Sequence, residues 1–460
     1  MAVVQKTSQL PAYTAPSRRS RRTVDRAPGT TMKRLTGRLN LFQRTMLDWR
    51  DLHPYVAVHA VRVARPLDRT AATRAIGETL EHAGLTGLVL DRRRGRYEWR
   101  GGPSASTLAV VAAGEDWQAT LAQTIERHLN EPFALEGRID PFRFFAIDTG
   151  DSFFLGIAYD HFIAGGDSIV VLLNAIVDRY AGNPPPAPFS RYPRTHRRLF
   201  VRHPLRFVRG LGRLPAMVSS CRRTIRPRYR AIEDGYNAFT FFTLDESEYL
   251  GLRRAAKGWG VTLNDALIAL LLLAQDAQLP GRDRMKRRHE LAVASIINLR
   301  DAHQEDSRTT FGQFLSSFRV SHPVPPGTTL GEVAQDVRGA TARVKRERLY
   351  LMTLGAIAVD RIVGRFRTRE QRMGVYAKSY PVGAGVSSLN VNALWRTGDG
   401  DGAPAYIRGV PTGPASPIVV AITTSGNTLC AGITYRTAAA GPDDIRQLQA
   451  HLKSRIRALK

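Results

Sequence analysis

Cysteine is nearly missing from this chain: its 460 residues include only two, Cys221 and Cys430. Two cysteines cannot form the disulfide framework of a secreted protein of this length, so we expect a reducing compartment and a cytoplasmic protein. Long apolar runs are missing too, because the most apolar stretch, 266–274, is far shorter than the ~20 residues that a transmembrane helix needs. No apolar segment typical of a signal peptide precedes Pro11.

Signatures of metal and nucleotide chemistry are also missing. The sequence has no His-Glu-x-x-His or Cys-x-x-Cys motif and no phosphate-cradling Gly-Lys-Ser/Thr loop. The stretch 398–402 alternates glycine and aspartate, but it lacks the ligand spacing and terminal glutamate of a calcium loop, so we interpret it as a hairpin tip. The sequence therefore predicts no metal site and no permanently bound cofactor.

Acidic residues are scarce, since 40 Asp and Glu face 67 Lys and Arg, for a net charge of +27. This balance favours anionic partners such as nucleic acid, anionic lipid, phosphorylated cofactors or an acidic carrier protein, and does not choose among them. The excess of arginine is equally compatible with a GC-rich genome. No recognisable nucleic-acid-reading module accompanies the charge, so nucleic acid is the least favoured partner.

The chain divides into four segments by composition and periodicity. We expect a disordered basic tail at 1–37, an N-terminal lobe at 38–182, a proline-rich and basic linker at 183–236 and a C-terminal lobe at 237–460. Strand and helix patterns alternate in both lobes, which predicts an α/β (α+β) fold of two similar units. Within the linker, 191–230 resembles a basic amphipathic helix broken near Pro204 and Pro215. It fits either an anionic membrane surface or an interdomain packing role.

The candidate catalytic residue is His161. An apolar run, 153–158, leads into this lone histidine, and Gly165-Gly166 and a helical pattern follow it. This order predicts a buried strand that ends in a tight turn holding an imidazole, and an imidazole with an ordinary pKa of about 6.5 can accept a proton near neutral pH. The alternative is a core or surface histidine without a chemical role.

The turn resembles the His-His-x-x-x-Asp-Gly motif of the chloramphenicol-acetyltransferase-like superfamily. That superfamily includes peptide-synthetase condensation domains, wax ester synthase/diacylglycerol acyltransferases and polyketide-associated acyltransferases. His161 matches the catalytic second histidine and Gly166 the motif glycine, whereas Asp160 replaces the first histidine and Gly165 the motif aspartate.

Further segments resemble the family in the same order. They are 261–267, 295–300, 311–314, 387–391 and 433–436, so the resemblance covers the chain from about Arg38 onward. It implies two chloramphenicol-acetyltransferase-like lobes that form a V-shaped pseudo-dimer with an interdomain tunnel.

The resemblance implies direct acyl transfer to a hydroxyl or amine acceptor, with His161 as general base. The donor is an acyl thioester on coenzyme A or on the phosphopantetheine of an acidic acyl or peptidyl carrier protein, used as co-substrate. Ser388 and Asn390 are candidate oxyanion or channel residues, as are the backbone N–H groups near Gly166. The alternative function is a catalytically degenerate condensation-like scaffold that binds an acidic carrier protein or another anionic partner.

Two smaller hypotheses concern the departures from the motif. In the family the motif aspartate pairs with the arginine that matches Arg300, so we expect Asp160 or Asp167 to replace it, because an unpaired buried guanidinium is costly. We also expect Asp160 to raise the pKa of His161. A hydrolase with Ser168 as nucleophile is disfavoured, because the Gly-x-Ser-x-Gly elbow is absent. The basic linker resembles that of the lipid-active members, which implies a lipid acceptor and peripheral contact with the inner face of the membrane through 191–230.

Overall fold

Two sheets, one for each half of the chain, organise this computed structural model, which describes residues 35–183, 189, 195–395 and 404–460. The elements of the N-terminal half are β1 (Leu35–Arg38), α1 (Leu41–Arg50), β2 (Val56–Val63), α2 (Arg69–His82), β3 (Leu88–Asp91), β4 (Arg96–Trp99), β5 (Leu108–Ala112), α3 (Trp117–Asn130), β6 (Arg138–Ile139), β7 (Phe142–Asp148), β8 (Phe153–Asp160) and α4 (Gly166–Tyr180).

Three short helices then lead into the C-terminal half. The linker elements are α5 (Arg197–Arg202), α6 (Pro204–Leu211) and α7 (Leu214–Arg223). The elements that follow are β9 (Asn237–Leu244), α8 (Glu246–Gly258), α9 (Leu263–Ala277), a 3₁₀ turn (Arg282–Arg284), β10 (Leu291–Asn298), α10 (Arg300–His303), β11 (Leu315–His322), α11 (Leu330–Glu347), α12 (Tyr350–Gly364), α13 (Arg369–Ser379), β12 (Ala384–Asn390), β13 (Tyr406–Gly409), β14 (Ile418–Ser425), β15 (Thr428–Arg436) and α14 (Pro442–Arg457).

The strand order links the two halves. The first sheet runs β13-β2-β8-β7-β5 and the second runs β11-β10-β12-β14-β15-β9, while β1-β4-β3-β6 forms a small third sheet. Strand β13 comes from the C-terminal half but pairs antiparallel with β2 of the N-terminal half, with Tyr406 opposite Val61. The lobe predicted over 237–460 is therefore not self-contained. The crossing strand covers what would otherwise be an open edge of β2.

Strand β8 carries the site because it is central and entirely buried. It pairs with β2 on one side and β7 on the other, and every residue from Phe153 to Asp160 is buried. A strand buried on both faces needs the near-continuous apolar run that the sequence shows there. Helix α9 is the buried apolar element of the second half, where ten apolar residues between 263 and 274 account for most of its surface.

The predicted two-lobed α/β fold is confirmed, with one correction at the tail. Residues 35–37, expected to be disordered, form part of β1, where Leu35 to Arg38 pair with β4. The rest of the expected tail, Pro184–Pro188 and the stretch 398–402 lie outside the described residues. As predicted, the basic segment is broken, because α6 begins at Pro204 and α7 holds Pro215 in its first turn.

No single helix in the described ranges is long and apolar enough to cross a membrane, although α8 and α9, which meet at 102°, satisfy the length and hydropathy criteria together.

Candidate active site

His161 lies at the end of β8, in a turn closed by backbone hydrogen bonds. Its N–H donates to the carbonyl of Tyr55 at 3.1 Å, which extends the β2–β8 pairing by one residue. The N–H of Ile163 donates to Asp160 at 3.0 Å, and the N–H of Gly165 donates to Gly312 at 3.0 Å. The chain then enters α4 at Gly166. The turn is therefore fixed on one side by its own sheet and on the other by the C-terminal half.

Two buried amide side chains brace this turn. Gln313 donates through Nε2 to the carbonyls of His161 and Ala164, at 3.0 and 3.2 Å, and Gln43 donates to the carbonyl of Phe162 at 3.1 Å. A Cβ at position 165 would lie 3.1 Å from Oε1 of Gln313, so glycine and glutamine fit each other here. This packing gives a physical reason for Gly165 where the related motif has aspartate. The bracing role of Gln313 was not visible in the sequence.

The imidazole of His161 is 7% exposed and lies between two tyrosine rings. Its ring centroid is 5.6 Å from that of Tyr55 and 5.9 Å from that of Tyr159. Burial lowers the pKa of His161 to about 4, and the charge of Arg408 acts in the same direction. The carbonyl of Ala164 favours the proton, although Nδ1 is enclosed without a hydrogen bond of good geometry. The ring is thus neutral at pH 7.

Asp160 does not raise the pKa of its neighbour, contrary to our expectation. Its carboxylate is 1% exposed and accepts a hydrogen bond from Nε of Arg50 at 2.5 Å. Burial raises the pKa of Asp160 to about 6, and Arg50 opposes that shift. The carboxylate at the first motif position is therefore held by α1.

Arg300 pairs with Asp167, the second of the two alternatives left open by the sequence. Its Nε lies 3.5 Å from the Asp167 carboxylate, and its two terminal nitrogens donate to Ser168 Oγ at 2.6 Å and to the Thr310 carbonyl at 2.8 Å. Ser168 is fully buried and its Oγ also accepts the N–H of Gly312 at 3.0 Å. A serine enclosed in this way cannot act as a nucleophile, so the hydrolase alternative is wrong.

A cavity of about 440 Å³ lies between the two halves of the chain and reaches His161. The N-terminal half supplies His161, Gly166 and Asp167 to its wall, and the C-terminal half supplies Asn298, Ser388 and Arg408. A Cβ at Gly166 would lie 3.2 Å from Leu389 and 3.5 Å from Nη1 of Arg408, so glycine lets the start of α4 approach the opposite lobe. The imidazole is therefore open to a ligand-sized space shared by both lobes.

The two candidate oxyanion residues differ in position. Ser388 lines the cavity, and its hydroxyl donates to Oδ1 of Asn264 at 2.8 Å. Asn390 is exposed, and its side chain accepts the N–H of Asn392 at 3.0 Å. Asn390 is not among the described residues that line this cavity. Of the two candidates, Ser388 lines the cavity, as does Gly166 at the start of α4.

A second buried histidine lies on the same cavity, and no sequence motif had pointed to it. His59 of β2 contacts two tyrosine hydroxyls, that of Tyr406 through Nδ1 at 2.8 Å and that of Tyr159 through Nε2 at 3.3 Å. Burial and the charge of Arg408 hold the pKa of His59 well below its ordinary value. The three residues are far apart in the sequence, so no local motif could have linked them.

No group of three or more His, Cys, Asp or Glu side chains suited to a metal ion occurs in the part of the chain that the structure describes.

The architecture is similar to that of solved condensation domains and their relatives. The first condensation domain of the CDA synthetase is 16% identical with a TM-score of 0.65, and the match covers 94% of this chain and 97% of that one. The epimerization domain from the third module of tyrocidine synthetase B is 12% identical over 95% and 99% of the chains, with a TM-score of 0.61. The SgcC5 protein from Streptomyces globisporus is 14% identical over 92% and 98%, with a TM-score of 0.60.

No protein-family model matches the chain, and no curated protein matches it. The likeness to solved structures extends over nearly the whole chain and confirms the resemblance drawn from the motifs at the level of the fold.

Proposed function

We propose that the protein is an acyltransferase that moves an acyl group from a thioester to a hydroxyl or amine acceptor, with His161 as general base. The observation that carries the proposal is a neutral, rigidly held imidazole on a cavity that both lobes line. A base must be unprotonated to act, and a pKa of about 4 keeps His161 in that form at pH 7. The donor thioester is borne by coenzyme A or by a carrier-protein phosphopantetheine.

The transfer step needs one group that takes the proton from the substrate acceptor and one group that stabilises the negative charge developing on the carbonyl oxygen. The acceptor X–H loses its proton to the ring of His161 while its lone pair forms the new C–X bond. The carbonyl oxygen then carries the negative charge until the C–S bond breaks and the proton passes from His161 to the leaving thiolate. Holding both substrates at one ring supplies much of the rate through proximity.

The start of α4 is the best-placed stabiliser of that oxyanion. Gly166 and Asp167 line the cavity, and the first N–H groups of a helix have no partners within the helix. The helix is fifteen residues long, so its dipole adds a favourable field for a negative charge at this end. The hydroxyl of Ser388 is a second candidate from the opposite wall.

A product screen tests the function. We would incubate the protein with a panel of acyl-coenzyme A and acyl-pantetheine thioesters and with mixed alcohol and amine acceptors, then measure intact product masses. We expect an acylated acceptor and one free thiol for each transfer. Thioester loss without an acylated acceptor would indicate hydrolysis, and thioesters stable across the panel would favour the scaffold alternative. In that case an acidic carrier protein should bind without turnover.

One surface favours a membrane as the place of action. Ten exposed apolar side chains lie on α5–α7 and around the end of α12, and we name them the basic apolar surface: Val201, Leu205, Val208, Leu211, Leu214, Val218, Val359, Ile362, Val363 and Phe366. Helices α6 and α12 are in contact where Met352 lies against Gly210 and Phe207 against Gly355. Residues 197–223, which span these three helices, include eight arginines and no acidic residue. Apolar side chains among arginines suit an anionic bilayer.

The same helices reach the cavity, since Met217 of α7 and Met352 and Ile357 of α12 line it. A membrane-borne lipid acceptor would therefore enter the cavity that His161 also lines. Co-sedimentation with vesicles of phosphatidylcholine alone or with added phosphatidylglycerol tests the contact. We expect binding only to the anionic vesicles, and Val208→Asp with Phe366→Asp should abolish it. The control Leu279→Asp changes an exposed leucine outside the surface and should bind normally. Equal binding by both variants would contradict the proposal.

A further inference from the structure

The guanidinium of Arg408 is buried without a carboxylate partner. The residue is 3% exposed and sits on β13, the strand that crosses between the lobes. Its Nη2 donates to the carbonyls of Ser387 and Ile422, at 2.7 and 2.6 Å, and its Nε donates to Thr423 Oγ1 at 2.9 Å. These neutral partners fix the side chain, but no described carboxylate forms an ion pair with it.

One nitrogen of this guanidinium remains for a ligand. A guanidinium has five N–H donors, of which three are used in the short bonds to neutral groups. The nearest acceptor for Nη1 is Ser387 Oγ at 3.5 Å, beyond the usual range for such a bond. Nη1 lies 3.5 Å from the position that a Cβ on Gly166 would take, at the wall of the cavity.

The other charged groups of the cavity wall are already compensated. The carboxylate of Asp167 meets Arg300, and that of Asp360 accepts a hydrogen bond from Arg367 at 2.8 Å. His59 and His161 are neutral at pH 7 because burial lowers both pKa values. Among the described residues that line the cavity, Arg408 is therefore the charged side chain with no ion pair of its own, since the Asp167 carboxylate acts on it only from beyond ion-pair distance, and a buried charge without a direct partner is costly.

The protons shared by His59 and its two tyrosine partners leave the hydroxyl of Tyr159 as a second hydrogen-bond donor. Neutral His59 carries one N–H, so one of its two tyrosine partners donates to the ring and the other accepts from it. The contact to Tyr406 is shorter, 2.8 Å against 3.3 Å, as expected when an O–H donates to the ring nitrogen. In this tautomer, with the ring proton on Nε2, the N–H donates to Tyr159, whose own proton remains for a ligand in the cavity that it lines.

We propose that the cavity binds a substrate bearing a carboxylate, which accepts hydrogen bonds from Nη1 of Arg408 and from the hydroxyl of Tyr159. That this ligand is a substrate rests on the proposed acyl transfer, whereas the binding of a carboxylate to the cavity does not. The carboxylate supplies the counter-ion that the protein does not provide, and the arginine selects for it over a neutral group of the same shape.

A matched pair of small probes tests the site: hexanoate and its neutral isostere hexanamide. Isothermal titration with the full-length protein should give an affinity for hexanoate about 10- to 100-fold above that for hexanamide, the range expected for hydrogen bonds to a charged group. Arg408→Gln should remove the preference, while Arg65→Gln, which deletes an exposed arginine elsewhere, should keep it. If Arg408→Gln does not fold, Arg408→Lys should still weaken hexanoate binding about tenfold.

Equal affinities for the two probes, or no hexanoate binding at concentrations of the order of 10 mM, would overturn the proposal. An unchanged preference in the position-408 variants would overturn it as well. Absence of acyl transfer by the wild-type protein, together with an intact preference for hexanoate, would reject the proposed function and leave the carboxylate site standing.

Discussion

Acidification should reveal the buried neutral state of His161 as a loss of stability. Its pKa of about 4 in the folded protein lies below the ordinary value of 6.5, so the unfolded chain binds the proton first as the pH falls. The contribution to stability is therefore complete above pH 6.5 and is lost as the pH falls toward 4. At pH 5.0, which lies 1.5 units below the ordinary histidine pKa of 6.5, the stability lost through this group is about 2 kcal/mol.

The assay compares urea unfolding of the wild type and of His161→Asn at pH 7.5 and 5.0. Other buried groups also titrate in this window, including Asp160, whose raised pKa acts with the opposite sign. They are present in both proteins, so they cancel in the difference between the two pH-induced changes. The wild type should lose about 2 kcal/mol more than the variant between these pH values. Parallel losses, within about 0.5 kcal/mol, would refute the neutral buried imidazole.

Three further substitutions test the side chains that hold the turn around His161 in place. Ser168→Ala should lower the unfolding free energy by about 1–3 kcal/mol, because it leaves buried donors without an acceptor, whereas Ser388→Ala at an exposed position should cost less than about 0.5 kcal/mol. Gln313→Ala releases the turn carbonyls, so single-turnover acyl transfer should fall about tenfold, more than protein stability explains. Arg50→Met leaves the Asp160 carboxylate buried and unpaired, and urea titration should show a loss of about 3–5 kcal/mol.

Each of these has a contradicting result. Equal costs for the two serine variants would show that the buried hydroxyl is not needed. A transfer rate for Gln313→Ala that falls only in proportion to its folded fraction would reject a positioning role. A stability for Arg50→Met close to that of the wild type would mean that the carboxylate becomes protonated at little cost.

The sequence predicted most elements whose own periodicity is strong. The apolar run 266–274 and the apolar run 153–158 before His161 depend on residues close together in the chain, and the structure has a buried helix at the first and a buried strand at the second. Helices α1 and α13 were not predicted. The pairing of β13 with β2 has no signal in the sequence, because β2 lies more than 340 residues away and nothing in the four residues of β13 encodes that partner.

The candidate site divides in the same way. His161 was found because a turn motif surrounds it, and Arg300 because a family segment contains it. The contacts of His59 and Arg408 are with distant partners: tyrosine hydroxyls for His59, and the carbonyls of two other strands for Arg408. Whether a charge is buried without a partner, and which group carries a shared proton, depend on neighbours in the folded chain. Such residues can therefore be recognised only in the structure.

The proposed acyl transfer requires that His161 take the proton from the acceptor. Single-turnover transfer at pH 7.5, with a thioester and acceptor found in the product screen, measures it most directly in the wild type, His161→Ala and the control His451→Ala on α14. We expect a loss of about 10²- to 10⁴-fold for His161→Ala at unchanged thermal stability, and no loss for the control. Transfer by His161→Ala within about threefold of the wild-type rate would contradict it.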